Sequence, residues 1–110
     1  MNTFFSSENK RTYNNFKKQI SPQIQSLFDS LRDYCFSLGS NVIEDVRMHR
    51  IVFCKSITFR WFVDMEPEQE TILLKIQKSR KEPHQTIRIK ADENLDQIKD
   101  FLRDAFNTIH

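Results

Sequence analysis

Apolar residues between residues 21 and 38 recur three and four positions apart, which places them on one face of a helix. Ser21 can cap the start of this helix, and Pro22 suits its first turn. Gly39 follows, where a glycine can take the left-handed conformation that ends a helix. The pattern therefore predicts a helix from Ser21 to Leu38 with this apolar face: Ile24, Leu27, Phe28, Leu31, Cys35 and Leu38.

From Val42 onward the apolar spacing changes to the alternation and β-former content of strands. Val42-Ile43 predicts the start of a short edge strand. Pro67, with Glu66, Glu68 and Gln69 around it, predicts a turn. A polar connection containing Pro83 is predicted from Gln77 to Gln85. Four further strands are predicted around these connections, over Arg50–Cys54, Thr58–Met65, Thr71–Ile76 and Thr86–Lys90.

Helical patterns also flank this region. A stripe that includes Leu95, Ile98 and Leu102 predicts a closing helix, which begins at Asp92 or Asn94 and ends at Thr108. A mostly polar stretch from Glu8 to Gln19 predicts a short helix within an N-terminal extension, residues 1–20. Residues 21–110 are then a single domain.

The order helix, strands, helix predicts an α+β fold. Short turns between neighbouring strands require antiparallel pairing, so the strands form a four- to five-stranded meander. Two helices with one apolar stripe each and a sheet with one apolar face bury one another as a two-layer sandwich, with both helices on one face. The opposite face of the sheet is left without a covering layer.

Composition excludes several classes of function. The chain has 110 residues but only one glycine, so a phosphate-cradling loop, a dinucleotide fingerprint or a glycine-rich nucleophile turn cannot be built. Its two cysteines, Cys35 and Cys54, lack the spacing of a zinc site or a disulfide framework. We expect no cofactor, a reducing compartment and hence a cytoplasmic location. The sequence has neither a secretory leader nor a membrane-spanning run, so we expect no membrane partner.

Charge is distributed unevenly along the chain. The net charge is +2, but residues 47–90 hold ten basic and five acidic side chains, a local excess of +5. Residues 21–46 and residues 91–110 each carry a net charge of −3. A basic middle between acidic segments favours an anionic partner for the sheet.

Basic side chains alternate with inward residues on the predicted strands, and the aromatic residues Phe53, Phe59, Trp61 and Phe62 lie among them. A basic sheet face with an accessible aromatic can hold nucleic acid by phosphate contact and base stacking. A solvated face that keeps an open sheet soluble produces the same pattern, and Trp61 can equally be a core anchor. The predicted phosphate contacts are Arg60, Lys75, Lys78, Arg80, Lys81, Arg88 and Lys90.

No catalytic constellation is recognisable. His49, His84 and His110 lie far apart in sequence, and a pair of Cys54 with His49 would require them to be adjacent in the fold. A metal nuclease needs carboxylates that converge from neighbouring strands, but Leu73 stands where the second acid would precede Lys75. We therefore predict a non-enzymatic protein.

The run Leu27-Phe28-Asp29-Ser30-Leu31, followed by Ser37-Leu38-Gly39-Ser40-Asn41-Val42, resembles a small prokaryotic family known as domain of unknown function 5655. Asn94-Leu95-Asp96-Gln97-Ile98 resembles the closing helix of that family. Ser40 replaces the turn proline of the family, and Cys54 to Thr58 replaces its basic-glycine hairpin. The family has no established activity; its occurrence in proteins that resemble restriction or nuclease-like systems implies an accessory or recognition module.

Two functions follow from the sequence. The first is a small binding module that holds nucleic acid on the basic sheet face. The second is a protein-interaction or homodimerisation module, accessory to a larger system, for which an apolar patch around Phe53, Phe59 and Trp61 would be the contact surface. The solvent exposure of the aromatic residues next to Arg60 distinguishes them.

Overall fold

The computed structural model describes residues 11–109 except residues 57, 59 and 80. They form the predicted α+β sandwich, in which a five-stranded antiparallel meander carries the helices on one face. The helices are α1 (Tyr13–Lys17), α2 (Pro22–Ser37) and α3 (Asp96–Thr108). The strands are β1 (Val42–Val46), β2 (Ile51–Lys55), β3 (Arg60–Glu68), β4 (Thr71–Ile76) and β5 (Gln85–Lys90).

Each long helix begins where its sequence supplies an acceptor for the first free backbone N–H groups. The Ser21 hydroxyl accepts from the Gln23 N–H at 3.3 Å, and Pro22 occupies the first turn of α2. At α3 the Asn94 side chain accepts from the Asp96 N–H at 2.8 Å. Asp96 also places a negative charge at the start of the helix, where the macrodipole favours it.

The helices α1 and α2 are joined by apolar and ionic contacts. Phe16 and Phe28 meet edge to face, with ring centroids 5.6 Å apart. The Tyr13 hydroxyl donates to Asp29 at 2.7 Å, and Lys17 Nζ lies 2.7 Å from the same carboxylate. Partial burial opposes the ionised form of Asp29, but the bonds from Lys17 and Tyr13 hold its pKa below the ordinary value. The core thus begins before Ser21.

In the sheet every strand pairs with its neighbour along the chain. The strand β3 runs through Pro67, where a turn was predicted, and the chain reverses at Gln69-Glu70 instead. Proline lacks a backbone N–H, but β2 ends opposite Met65, so β3 has only β4 beside it at Pro67. Gln69 takes a φ of 56° to make this turn, a conformation that non-glycine residues seldom adopt.

The core lies between the sheet and the helices. Phe28, Leu31 and Cys35 of α2 are fully buried, as are Leu102 and Ala105 of α3. Full burial of one large apolar side chain is worth about 1.5–3 kcal/mol relative to exposure. The sheet contributes its alternate apolar positions to the same core: Ile51, Phe53, Val63, Met65, Ile72, Leu74, Ile76 and Ile89.

Gly39 differs from its prediction. It follows the C-cap residue Leu38 but does not take a positive φ, so the left-handed conformation is not the reason for glycine here. A Cβ at this position would lie 3.0 Å from Phe106 Cζ and 2.7 Å from Asn41 Oδ1. A side chain here would displace the Asn41 side chain and press on the Phe106 ring of α3, so close packing favours glycine at this position.

Candidate functional site on the open face of the sheet

The face of the sheet opposite the described helices is called the open face below. Because paired residues of antiparallel strands share a face and successive residues alternate, the register assigns its side chains in rows that cross the strands. One row is Ile43, Cys54 and Trp61, and the next is Asp45, Val52, Asp64, Lys75 and Thr86. The remaining rows are Glu66, Leu73 and Arg88, and then Glu68, Thr71 and Lys90.

A β-bulge in β3 decides which aromatic residues reach this face. Phe53 pairs with Val63 and Cys54 pairs with Trp61, so Phe62 is an extra residue without a direct partner on β2. The Phe62 ring lies on the helix side, 5.3 Å from the Phe106 ring, and is fully buried. Trp61 faces the open side and is partly exposed.

The same bulge reverses the predicted direction of Arg60. Strict alternation from Asp64 would place Arg60 on the open face with Lys75. Instead Arg60 pairs with Lys55, whose ammonium bonds to the Ile109 carbonyl at 3.0 Å on the helix side. The grouping of Arg60 with the open-face lysines was therefore wrong. Phe53 is fully buried in the core, so it offers no exposed apolar surface either.

A carboxylate stands at the centre of the open face. Asp64 is only 9% exposed, and its Oδ2 accepts a hydrogen bond from Arg50 at 3.0 Å. Arg50 also donates to Glu66 at 3.2 Å. The hydrogen bond to Asp64 and the charge of that carboxylate raise the pKa of Arg50. Asp64 Oδ1 is buried and has no hydrogen-bond partner among the described residues. The buried carboxylate therefore depends on the hydrogen bond that Arg50 donates to Oδ2.

The remaining predicted phosphate contacts have different surroundings. Arg88 is paired with Glu68 at 2.8 Å, and Lys78 with Asp104 of α3 at 2.6 Å. The hydrogen bond to Asp104 raises the pKa of Lys78 and lowers that of Asp104. The predicted contacts that form no ion pair within the described part of the chain are Arg60, Lys75, Lys81 and Lys90. Arg80 lies outside the described residues.

Charge divides the sheet into two ends along its strands. The basic end comprises the β2–β3 and β4–β5 connections and the strand residues next to them. Its described charged residues are one carboxylate, Glu82, and five basic residues: Lys55, Arg60, Lys75, Lys78 and Lys81. At the acidic end lie the β3–β4 turn and the β5–α3 connection. Four basic residues also reach this end, and three of them, Arg47, Arg50 and Arg88, are paired with carboxylates. The carboxylates of the acidic end are Glu66, Glu68, Glu70, Asp92, Glu93 and Asp96.

An aromatic pair lies at the basic end. The rings of Trp61 and His84 are 6.0 Å apart and tilted by 57°, and His84 is exposed. Gln77 donates its side-chain amide to the Trp61 carbonyl at 3.1 Å, which joins the β4–β5 connection to β3. Neither the proximity of His84 nor the bulge at Phe62 could be inferred from the spacing of the sequence. The geometry places two aromatic rings at the end of the sheet that carries the lysines.

Three surface clefts lie away from this aromatic pair. One of about 620 Å³ separates α1 from β1 and is lined by Tyr13, Arg32 and Glu44 among others. Arg32 and Glu44 are paired with each other, and the Tyr13 hydroxyl is bound to Asp29, so these groups are already satisfied. Two clefts of about 470 and 640 Å³ lie at the acidic end, around Glu70 and Thr71.

No family model matches the chain, and neither the curated proteins nor the solved structures contain a significant match. The resemblance to domain of unknown function 5655 therefore stays a prediction. Within the described ranges, no three histidine, cysteine or carboxylate side chains converge to hold a metal ion. None of the helices described has the length and apolar composition to cross a bilayer.

Proposed function

We propose that this protein is a non-enzymatic module that binds nucleic acid at the basic end of the open face. The observation that supports this most directly is the Trp61–His84 pair, because partly exposed rings beside lysines can bind bases and phosphates together. Stacking of one base on an aromatic side chain contributes about 1–3 kcal/mol. Lysine side chains add a salt-dependent attraction to the backbone phosphates.

On the open face and its loop, the basic end contributes two of the seven predicted contacts. Lys75 lies opposite Asp64 on the strand next to Trp61, and Lys81 is exposed on the β4–β5 connection. Lys78 is paired with Asp104 of α3, which places its ammonium on the helix side, although both side chains are about half exposed. Arg88 and Lys90 lie towards the acidic end, where we expect them to contribute less.

The chemistry of the cysteines argues against nucleophilic catalysis. Burial, followed by the charge of Asp45, raises the pKa of the Cys54 thiol, which disfavours the reactive thiolate. His49 lies in the turn before β2, whereas Cys54 lies near the other end of that strand. At about 3.3 Å per residue the two are roughly 16 Å apart along the chain, too far for proton transfer.

The test uses the fluorescence of Trp61, which is the only tryptophan of the chain. Single- and double-stranded DNA and RNA oligonucleotides are titrated at low salt, and the titration is repeated at increasing salt. We expect a change in Trp61 emission and an affinity that falls as salt rises. Absence of both fluorescence change and binding by fluorescence anisotropy for every oligonucleotide would overturn the proposal.

A matched pair of lysine variants locates the site. Lys81→Gln removes one positive charge from the basic end, whereas Lys18→Gln removes one from the exposed end of α1 on the helix side. Lys81→Gln should lower the slope of log affinity against log salt by about 0.7, the value for one phosphate contact with a single strand. Lys18→Gln should leave the slope unchanged. Equal effects of the two variants would mean that binding depends on net charge alone.

The second candidate is a protein-interaction or homodimerisation module. Ile43 and Met48 are 36% and 56% exposed, and Ile43 lies in the same row of the open face as Trp61. A partner could cover this row by apolar contact. Light scattering at two protein concentrations tests self-association, which should appear as a mass that rises with concentration. A monomeric mass at both concentrations contradicts the homodimer.

A further inference from the structure

The charged and apolar rows of the open face restrict the form of nucleic acid that fits there. The row nearest the basic end consists of Ile43, Cys54 and Trp61 and carries no charge. The next row contains two carboxylates, Asp45 and Asp64, and one cation, Lys75, and the two rows beyond it contain Glu66 and Glu68. An anionic ligand therefore meets attraction only across the basic end, and repulsion if it extends along the strands.

We infer that the ligand is a short single strand that crosses β1, β2 and β3 along the row of Ile43, Cys54 and Trp61. This inference rests on the nucleic-acid binding proposed above. The row spans about 10 Å, at roughly 4.8 Å between neighbouring strands. The His84 ring continues it by 6.0 Å from Trp61. Unpaired bases pack on these apolar and aromatic groups, and the phosphates face Lys75 and Lys81.

A duplex does not meet these requirements. Its base faces are stacked within the helix and cannot contact Trp61 or His84, so only phosphate contacts would remain. A rigid double helix laid on the face would also bring phosphates towards Asp64 and Glu66. Arg50 offsets these carboxylates only in part, because it is a single cation placed between two anions. The open face thus selects against duplex by repulsion as well as by lost stacking.

The test compares three labelled oligonucleotides of equal length by fluorescence anisotropy: a single strand, its duplex and a strand with abasic sites. We expect the single strand to bind at least about tenfold more tightly than the other two, because each keeps phosphates but loses stacking. Equal or tighter binding of the duplex, or undiminished binding of the abasic strand, would overturn the inference while leaving nucleic-acid binding intact. Absence of binding to all three would refute the proposed function itself.

Protein variants provide the complementary test. Trp61→Phe retains an aromatic ring and should keep most of the preference for single strands, whereas Trp61→Leu should lose it. A double substitution of Glu66→Gln and Glu68→Gln removes repulsion and frees Arg88, so it should raise the affinity for duplex more than the affinity for the single strand. Circular dichroism confirms the fold of each variant. An equal gain for both ligands would contradict selection by the carboxylates.

Discussion

The helix-covered face and the open face belong to the same five strands, but their buried side chains have different surroundings. On the covered face, apolar residues such as Phe62 and Leu74 are fully buried against the helices. On the open face, Val52 and Asp64 are almost as buried, yet none of the described helices lies over them. Arg50, which donates a hydrogen bond to Asp64, lies beside that carboxylate on the same face. Burial alone therefore does not identify the core of this protein.

The largest expected difference between the faces is at two consecutive residues. Phe62→Ala empties a site against Phe106 in the core and should lower the free energy of unfolding by about 3–5 kcal/mol. Trp61→Ala should lower it by only about 1–2 kcal/mol, because Trp61 is partly exposed on the open face. Urea unfolding followed by circular dichroism measures both. Equal losses would show that the bulge does not separate the two side chains.

A smaller effect is expected from the ion pair at the centre of the open face. Arg50→Met leaves the buried Asp64 without its described partner and should cost about 1–3 kcal/mol of stability. Arg47→Met is the matched control, because Arg47 pairs with Asp45 where both side chains are about half exposed. The control should cost less than about 1 kcal/mol. A loss in the control as large as that of Arg50→Met would contradict the central role of this pair.

The smallest effect concerns the two thiols at alkaline pH. Burial raises the pKa of Cys35, which is fully buried beneath the covered face, above its ordinary value of 9.0. The unfolded thiol then loses its proton first, so stability is complete below pH 9.0 and falls as pH rises above it. The fall is at most about 1.4 kcal/mol per pH unit for one group.

Single cysteine variants assign this pH dependence to one face. Cys35→Ala should flatten the decline in stability between pH 9 and 10 more than Cys54→Ala does, because Cys54 is only partly buried. Urea unfolding in the presence of a reductant, at pH 8, 9 and 10, gives the slopes. Equal flattening of the stability curve by Cys54→Ala and Cys35→Ala would contradict the expectation that the covered face is less solvated than the open face.

Local patterns were sufficient to predict most elements of the fold. The apolar stripe that begins after Ser21 predicted α2 to within one residue at each end, and alternation of Ile72, Leu74 and Ile76 predicted β4 at its observed bounds. Both patterns depend on periodicity and on a capping or turn residue nearby, which a sequence contains directly. The antiparallel meander followed from the short connections.

The predictions that failed depended on contacts between distant segments. The direction of Arg60 required knowledge of the bulge at Phe62, where packing against Phe106 of α3 overrides alternation. The role of Gly39 likewise depends on the Phe106 ring, which lies far away in sequence. The open face was predicted to be basic. The carboxylates of Asp64 and Glu66, which pair with Arg50, divide it into a basic and an acidic end. The sequence predicted that basic side chains lie on this face, but it did not predict which carboxylates pair with them.

The strand β5 forms one edge of the sheet, and no strand of the described residues lies beside its outer backbone groups. Such an edge is a template on which a second molecule can add its own strand and begin an aggregate. Lys90 adds a positive charge to this edge, as does Arg88, whose charge Glu68 partly offsets, so two copies of β5 would repel each other before their backbones could pair. The positive charge of β5 therefore opposes the pairing of this edge with a second copy of the chain.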